Sequence, residues 1–293
     1  MALVNSLEQT ERLIKSGAYV TEDDITTAIY LAIRLGRPLL VEGFAGVGKT
    51  EVAKVLSAVL DTELIRLQCY EGLDTATALY EWNYAKQILR VRLEEGHSAD
   101  PKTLETEIFT EDYLLERPLL KALRGEKSPV LLIDEIDRAD EEFEAFLLEI
   151  LAEFQVTIPE LGTIQARQPP IVVLTSNRVR ELGEALRRRC LYLWIDYPSL
   201  EKELAIVQQH LPQIDNTLAA EICRFVATLR ELELDKRPGV AETLDWAQAL
   251  MALHIDHIDA QTVRHTIGCL AKTRRDTNVV LPQLKALVKD GAG

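Results

Sequence analysis

Eight consecutive residues, Gly43-Phe44-Ala45-Gly46-Val47-Gly48-Lys49-Thr50, limit most strongly what this chain can fold into. They fit the pattern G-x-x-x-x-G-K-[ST] in full. Glycines allow a tight turn whose amides converge on an anion. A helix opening directly after the turn adds the positive end of its dipole. The flanks agree with that context. Leu39-Leu40-Val41 reads as a buried strand, and Val52, Val55, Leu56, Val59 and Leu60 recur at helical spacing. In such a loop the lysine reaches the β and γ phosphates of a nucleotide, and the hydroxyl after it binds Mg²⁺. Residues 43–51, ending at Glu51, are therefore the candidate ATP site, with Lys49 on phosphate and Thr50 on the metal.

Further strands and helices alternate around this loop. Leu64–Leu67, Val130–Ile133, Ile171–Thr175 and Leu191–Ile195 read as strands, and Phe143 to Phe154 as an amphipathic helix. Gln155 to Arg167, with Pro159 and Gly162 near its middle, reads as a β-hairpin. Tyr80, Trp82 and Tyr84 alternate, as do Val91 and Leu93, which predicts a small β insertion; Glu111 to Leu123 reads as a helix. Beyond Tyr197-Pro198 helical periodicity takes over, as in Leu218, Ile222, Phe225, Val226 and Leu229. The expectation is an α/β domain over residues 1–198, a parallel sheet sandwiched by helices, and a small all-helical lid over 199–293.

The strand at 130–133 runs into Asp134-Glu135. An acid at the carboxyl end of a parallel strand is placed beside the phosphate loop. Asp134 would hold Mg²⁺, and Glu135 would orient and deprotonate the attacking water. Asn177 follows the strand 171–175, where its amide either fixes that water or caps a turn. Arg187-Arg188-Arg189 is either a cationic helix end facing its own dipole or the source of an arginine finger for a neighbour's γ phosphate. His254, Asp256 and His257 lack a further ligand nearby and read as surface residues at a helix end.

The net charge of −14 argues against nucleic acid as the main partner. No apolar run approaches the roughly 20 residues of a membrane helix. No secretory signal is visible, and four dispersed cysteines (Cys69, Cys190, Cys223, Cys269) read as reduced thiols of a cytoplasmic protein.

Taken in order, the phosphate loop, the Asp-Glu strand, Thr175-Ser176-Asn177, the arginine cluster and the helical tail resemble an AAA+ ATPase. Four stretches are similar to the MoxR family, in particular its CoxD-like branch: Gly36 to Gly43, Leu132 to Ala139, Leu148 to Glu153 and Pro238 to Trp246. The resemblance implies that residues 79–110 hold the family's extra β element and that Asn177 is sensor 1. It puts the finger on Arg189, with Arg188 next. It further implies a hexamer, a partner bearing a von Willebrand factor A domain, and a client protein or metalloenzyme to be remodelled or activated. The sequence departs from the family at sensor 2: the lid helix at Pro238-Gly239-Val240-Ala241 carries no arginine, and Arg237, then Lys236, are the nearest cations. A nucleic-acid motor and a nucleotide-gated scaffold without turnover are the two rival readings.

Overall fold

The computed structural model describes residues 4–17, 19–94 and 106–291. Its strands are β1 (Leu39–Gly43), β2 (Leu64–Gln68), β3 (Tyr80–Trp82), β4 (Leu114–Glu116), β5 (Val130–Asp134), β6 (Gln155–Ile158), β7 (Gly162–Gln165), β8 (Ile171–Ser176) and β9 (Leu191–Ile195). A five-stranded sheet runs in the order β2-β5-β8-β1-β9. The pairs β2–β5, β5–β8 and β1–β8 are parallel. Every residue of β1 and β5 is buried, as expected of strands covered on both faces by helices. Burying a side chain such as Leu131, Leu132 or Ile133 contributes about 1.5–3 kcal/mol, so the apolar run that marks β5 in the sequence is also its chief stabilisation. Glu42 of β1 pairs in register with Ser176 of β8, and Gln68 of β2 with Asp134 of β5. Strand ends that carry polar residues therefore line up at the carboxyl edge of the sheet, where ligands bind in open α/β folds.

The insertion departs from the sequence expectation. Tyr80–Trp82 is a strand, pairing antiparallel with Leu114–Glu116, but Tyr84–Glu94 is a helix that contains Val91 and Leu93. Two alternating residues do not outweigh the helix propensity of Ala85-Lys86-Gln87-Ile88-Leu89-Arg90, and the Asn83 side chain accepts the Lys86 amide at 3.0 Å to start the helix. Residues 95–105 of the expected insertion lie outside the described residues. Glu111 to Leu123 is likewise not one helix. A 3₁₀ turn at Glu111–Tyr113 leads into β4, and the helix begins only at Pro118, because proline favours the first helical position and forces the residue before it to be extended. Trp82 packs edge-on against Tyr80 and Phe109, which makes the aromatic alternation a packing feature. The hairpin expected at 155–167 is formed by β6 and β7.

The chain divides into two compact units. One comprises Met1–Gly17, Asp23–Glu42 and Thr50–Leu193; the other comprises Ala18–Glu22, Gly43–Lys49 and Trp194–Gly293. The second unit is built from the helices Leu200–His210, Asn216–Arg230, Val240–Ala252, Ala260–Thr266, Arg274–Val280 and Leu284–Gly291. Trp246, fully buried, shares its core with Ile222, Phe225, Leu250 and Val263; its ring packs on that of Phe225 with centroids 5.2 Å apart, and its indole N–H donates to Thr266 Oγ1 at 2.8 Å. A buried ion pair ties three of these helices together. The Arg230 guanidinium grips Glu203 through two bonds of 2.6 and 2.7 Å, while Thr243 donates to the same carboxylate at 2.7 Å. Glu203 is 0% and Arg230 7% exposed. Removing one partner strands the other charge in the core, so Glu203→Ala is expected to cost about 3–5 kcal/mol, read as a lower urea midpoint by circular dichroism. A loss below about 1 kcal/mol would mean that the pair behaves as a surface one.

Candidate active site

The phosphate loop takes the backbone path its glycines permit. Left-handed residues alternating with right-handed ones turn successive amides toward one point, and Gly46 and Gly48 supply left-handed positions at φ +76° and +92°. Lys49 is buried at 7% exposure, and its Nζ donates to the carbonyls of Gly43 at 2.9 Å and Phe44 at 2.6 Å. Phe44 stacks on Tyr197 with centroids 4.8 Å apart and meets Trp194 edge-on. The Arg230 guanidinium covers the Tyr197 ring at 4.8 Å, so an aromatic and cationic stack braces the second residue of the loop.

At the middle of the loop Gly46 accepts the Ala241 amide at 3.2 Å. A Cβ on Gly239 would lie 2.7 Å from the Ala45 carbonyl and 2.8 Å from Gly46 Cα. Loop and helix start therefore meet backbone to backbone, a contact only glycine allows. Glu242 caps this helix by accepting the Gly239 amide at 2.9 Å. At position 239 itself no side chain fits. Arg237 and Lys236, the nearest cations in sequence, are both exposed. Glu51 is paired with Lys54 at 2.6 Å on the surface of its helix.

The acids sit at the edge formed by β2, β5 and β8. Asp134 is 4% exposed. Its Oδ1 accepts the Thr175 hydroxyl at 2.5 Å and the Thr50 hydroxyl at 3.4 Å. Oδ2 accepts two N–H groups of Arg66, at 3.0 and 2.5 Å. Thr50 and Asp134 thus bring two hard oxygen donors together, a set suited to Mg²⁺. Glu135 occupies the left-handed region at φ 55°, unusual for a residue with a side chain, and its amide donates to Thr175 Oγ1 at 2.9 Å. Such strain, on the order of 1–3 kcal/mol, collects at functional positions. One Glu135 carboxylate oxygen accepts the Asn177 side-chain amide at 3.3 Å; the other accepts Gln68 Nε2 at 3.1 Å and Arg138 at 3.1 Å. Asp137, 2% exposed, accepts the amides of Asn177 and Val179 at 3.1 and 2.8 Å and so fixes the turn after β8. Burial first, then the negative charges of Asp134, Asp137 and Glu135, pushes the Cys69 thiol up to about 12. It stays protonated at neutral pH and is no nucleophile.

The three arginines end the short helix Glu184–Arg189, and all are exposed. Arg188 pairs with Glu184 at 2.5 Å, and Arg189 donates to the Leu148 carbonyl at 3.0 Å. The carbonyls of Arg188 and Arg189 accept the Arg37 guanidinium at 2.6 and 3.1 Å. Arg37 therefore places a cation at the carbonyl end of this helix. His254 and the His257–Asp256 pair are exposed after the helix Val240–Ala252, consistent with surface residues.

Sequence reasoning missed Arg66, Gln68, Thr175, Asp137 and Arg138. A signal for two of them was present. Alternate residues of a strand share a face, so once β2 is placed beside β5, Arg66 and Gln68 point as a pair toward whatever Asp134 and Glu135 do.

Comparison with known proteins fits this geometry. Residues 38–190, more than half of the chain, match the AAA domain family, dynein-related subfamily. The chain belongs to that family. It is accordingly an ATP-hydrolysing enzyme of the AAA+ kind. The gas vesicle ATPase GvpN of Haloferax mediterranei is 24% identical to it over 262 residues, which cover 85% of this chain and 73% of GvpN. An uncharacterized protein of Staphylococcus haemolyticus is 24% identical over 247 residues, covering 82% of this chain and 86% of its own. Among solved structures, a variant of RuvB from Thermotoga maritima superposes with a TM-score of 0.50 at 20% identity, over 90% of this chain and 72% of that one. That likeness is one of fold: a parallel sheet with flanking helices and a helical C-terminal region. No helix among the described residues is long and apolar enough to cross a membrane.

Proposed function

We propose that this AAA+ enzyme is a Mg²⁺-dependent ATPase of the MoxR type, cytoplasmic, working as a hexameric ring that remodels or activates a client protein or metalloenzyme together with a von Willebrand factor A domain partner. The α/β domain over 1–198 and the lid over 199–293 are its functional division. The observation that carries the reading is the side-chain set at the strand ends, where Thr50 meets Asp134 and Asn177 meets Glu135. Gly43, Phe44, Ala45, Gly46, Val47 and Gly48 cradle the phosphates through their backbone, and Lys49 turns from its loop carbonyls to the β and γ oxygens. Thr50 and Asp134 hold the Mg²⁺, which when bound draws charge off the phosphate oxygens. Glu135 takes the proton of the attacking water, with Asn177 and Gln68 fixing its two oxygens. Arg189 of a neighbouring subunit, or Arg188 beside it, stabilises the charge that builds on the leaving phosphate.

The MoxR assignment rests on the four sequence stretches named above and on the net charge of −14, which disfavours a nucleic-acid track. Its test is assembly. With ATP and Mg²⁺ the purified protein is expected to sediment as a closed ring of about six subunits and to return to smaller species when nucleotide is removed. A monomer under every nucleotide condition would overturn the ring and, with it, the finger supplied in trans.

A further inference from the structure

One cation in the site has no part in the mechanism above. Arg66 lies on β2, the edge strand of the sheet, with Leu67 buried between it and Gln68. The β2–β5 register sets Arg66 opposite Leu132 and Gln68 opposite Asp134, so both polar side chains rise from the same face of the strand, Gln68 level with Asp134 and Arg66 two residues before it. The guanidinium gives two bonds to Asp134 Oδ2 and a third, of 2.6 Å, to Gln68 Oε1. That third bond fixes the Gln68 amide so that its NH₂ faces Glu135. Arg66 itself is not part of the core: its side chain is 54% exposed, against 6% for Asp134. An exposed arginine reaching onto a buried carboxylate is held there by charge, and it can leave without opening a cavity.

We propose that Arg66 is a resident counter-cation of Asp134, competing with the divalent metal for that carboxylate and thereby setting how tightly the metal is held. The proposal rests on the reading of Thr50 and Asp134 as the metal ligands. The two oxygens of Asp134 have separate custodians, hydroxyls on Oδ1 and Arg66 on Oδ2. A cation arriving beside Oδ1 meets a carboxylate whose charge is already largely compensated, and it is repelled by the guanidinium. Metal binding is therefore weakened while Arg66 is seated. Removing Arg66 leaves Asp134 held by Thr175, so the carboxylate keeps its place and gains free negative charge.

The experiment is a Mn²⁺ titration followed by electron paramagnetic resonance, on the full chain with saturating ADP. The signal of interest is the Mn²⁺ binding that Asp134→Asn abolishes. Arg66→Met is expected to bind this Mn²⁺ at least tenfold more tightly than wild type. Arg66→Lys, which keeps the charge, is expected to stay within threefold of wild type, and ADP affinity in EDTA is expected to be the same in all three. A merely structural arginine would give the opposite sign, since losing it would disorder Asp134 and weaken the metal. Unchanged or weaker Mn²⁺ binding in Arg66→Met overturns the proposal while leaving the metal site intact. Absence of any Asp134-dependent Mn²⁺ binding in wild type overturns the metal site and the proposal together.

Discussion

Glu135→Gln is expected to bind ATP as tightly as the wild-type protein and to turn it over at least ~100-fold more slowly, the usual cost of removing a general base. The substitution is nearly isosteric. The glutamine carbonyl still accepts the Asn177 amide that Glu135 Oε1 accepts at 3.3 Å. The left-handed backbone at position 135 is held by the bond from its amide to Thr175, which the side chain does not touch. What disappears is the carboxylate that takes the proton, along with the bond its second oxygen accepts from Gln68 and a half-exposed ion pair to Arg138 of little energetic weight. Binding and chemistry therefore separate. Equilibrium binding of a fluorescent ATP analogue is expected to be unchanged within about threefold, while single-turnover hydrolysis falls by two orders of magnitude or more. Turnover within threefold of wild type would remove Glu135 from the base role and shift attention to Asp137, a buried acid at this edge that the mechanism does not use. A variant that binds but does not hydrolyse is also expected to hold the assembled form, which gives sedimentation an independent readout of the same substitution.

What the sequence made legible follows from how local each signal is. The phosphate loop is contiguous, and its glycines, lysine and threonine announce a backbone shape and two ligands within eight residues. β1, β5 and β8 are apolar on both faces, so they stand out as runs, and Asp134, Glu135 and Asn177 were found by being next to them. Arg66 and Gln68 are equally close to the chemistry, but their relevance depends on β2 lying beside β5, a pairing of residues 66 apart in the chain. No local pattern reports such a pairing. The insertion failed for a related reason. Alternation over three residues is a weak strand signal, and Tyr84, Val91 and Leu93 fit the helix Tyr84–Glu94 as well. The contact of Gly239 with Ala45 and Gly46 was invisible for a third reason: a glycine in a helix start reads as a cap, and only coordinates show that backbone occupies the space where its side chain would be.

Arg189→Ala is expected to reduce turnover by roughly 10³-fold, the scale on which a finger acts, with ATP affinity little changed. A loss of activity alone would not assign the role, because Arg189 also donates to the Leu148 carbonyl and its own carbonyl accepts Arg37. The alanine variant gives up the first of these and keeps the second, so the helix Glu184–Arg189 retains its buried anchor Leu186 and its capping by Arg37. Mixing supplies the decisive measurement. A Glu135→Gln subunit lacks the base but still offers Arg189; an Arg189→Ala subunit lacks the finger but keeps Glu135. If the finger acts across a head-to-tail interface, random equimolar rings join an intact base to an intact finger at about a quarter of their interfaces. Two nearly inactive proteins are then expected to recover, on mixing, a clear fraction of wild-type turnover. If Arg189 acts within its own subunit, or serves only to hold its helix, the mixture stays as inactive as its components. Arg188→Ala mixed in the same way separates the two candidates: its pair with Glu184 lies on the helix surface, so the variant folds, and whichever of the two complements Glu135→Gln from its silent state is the residue that reaches the neighbour.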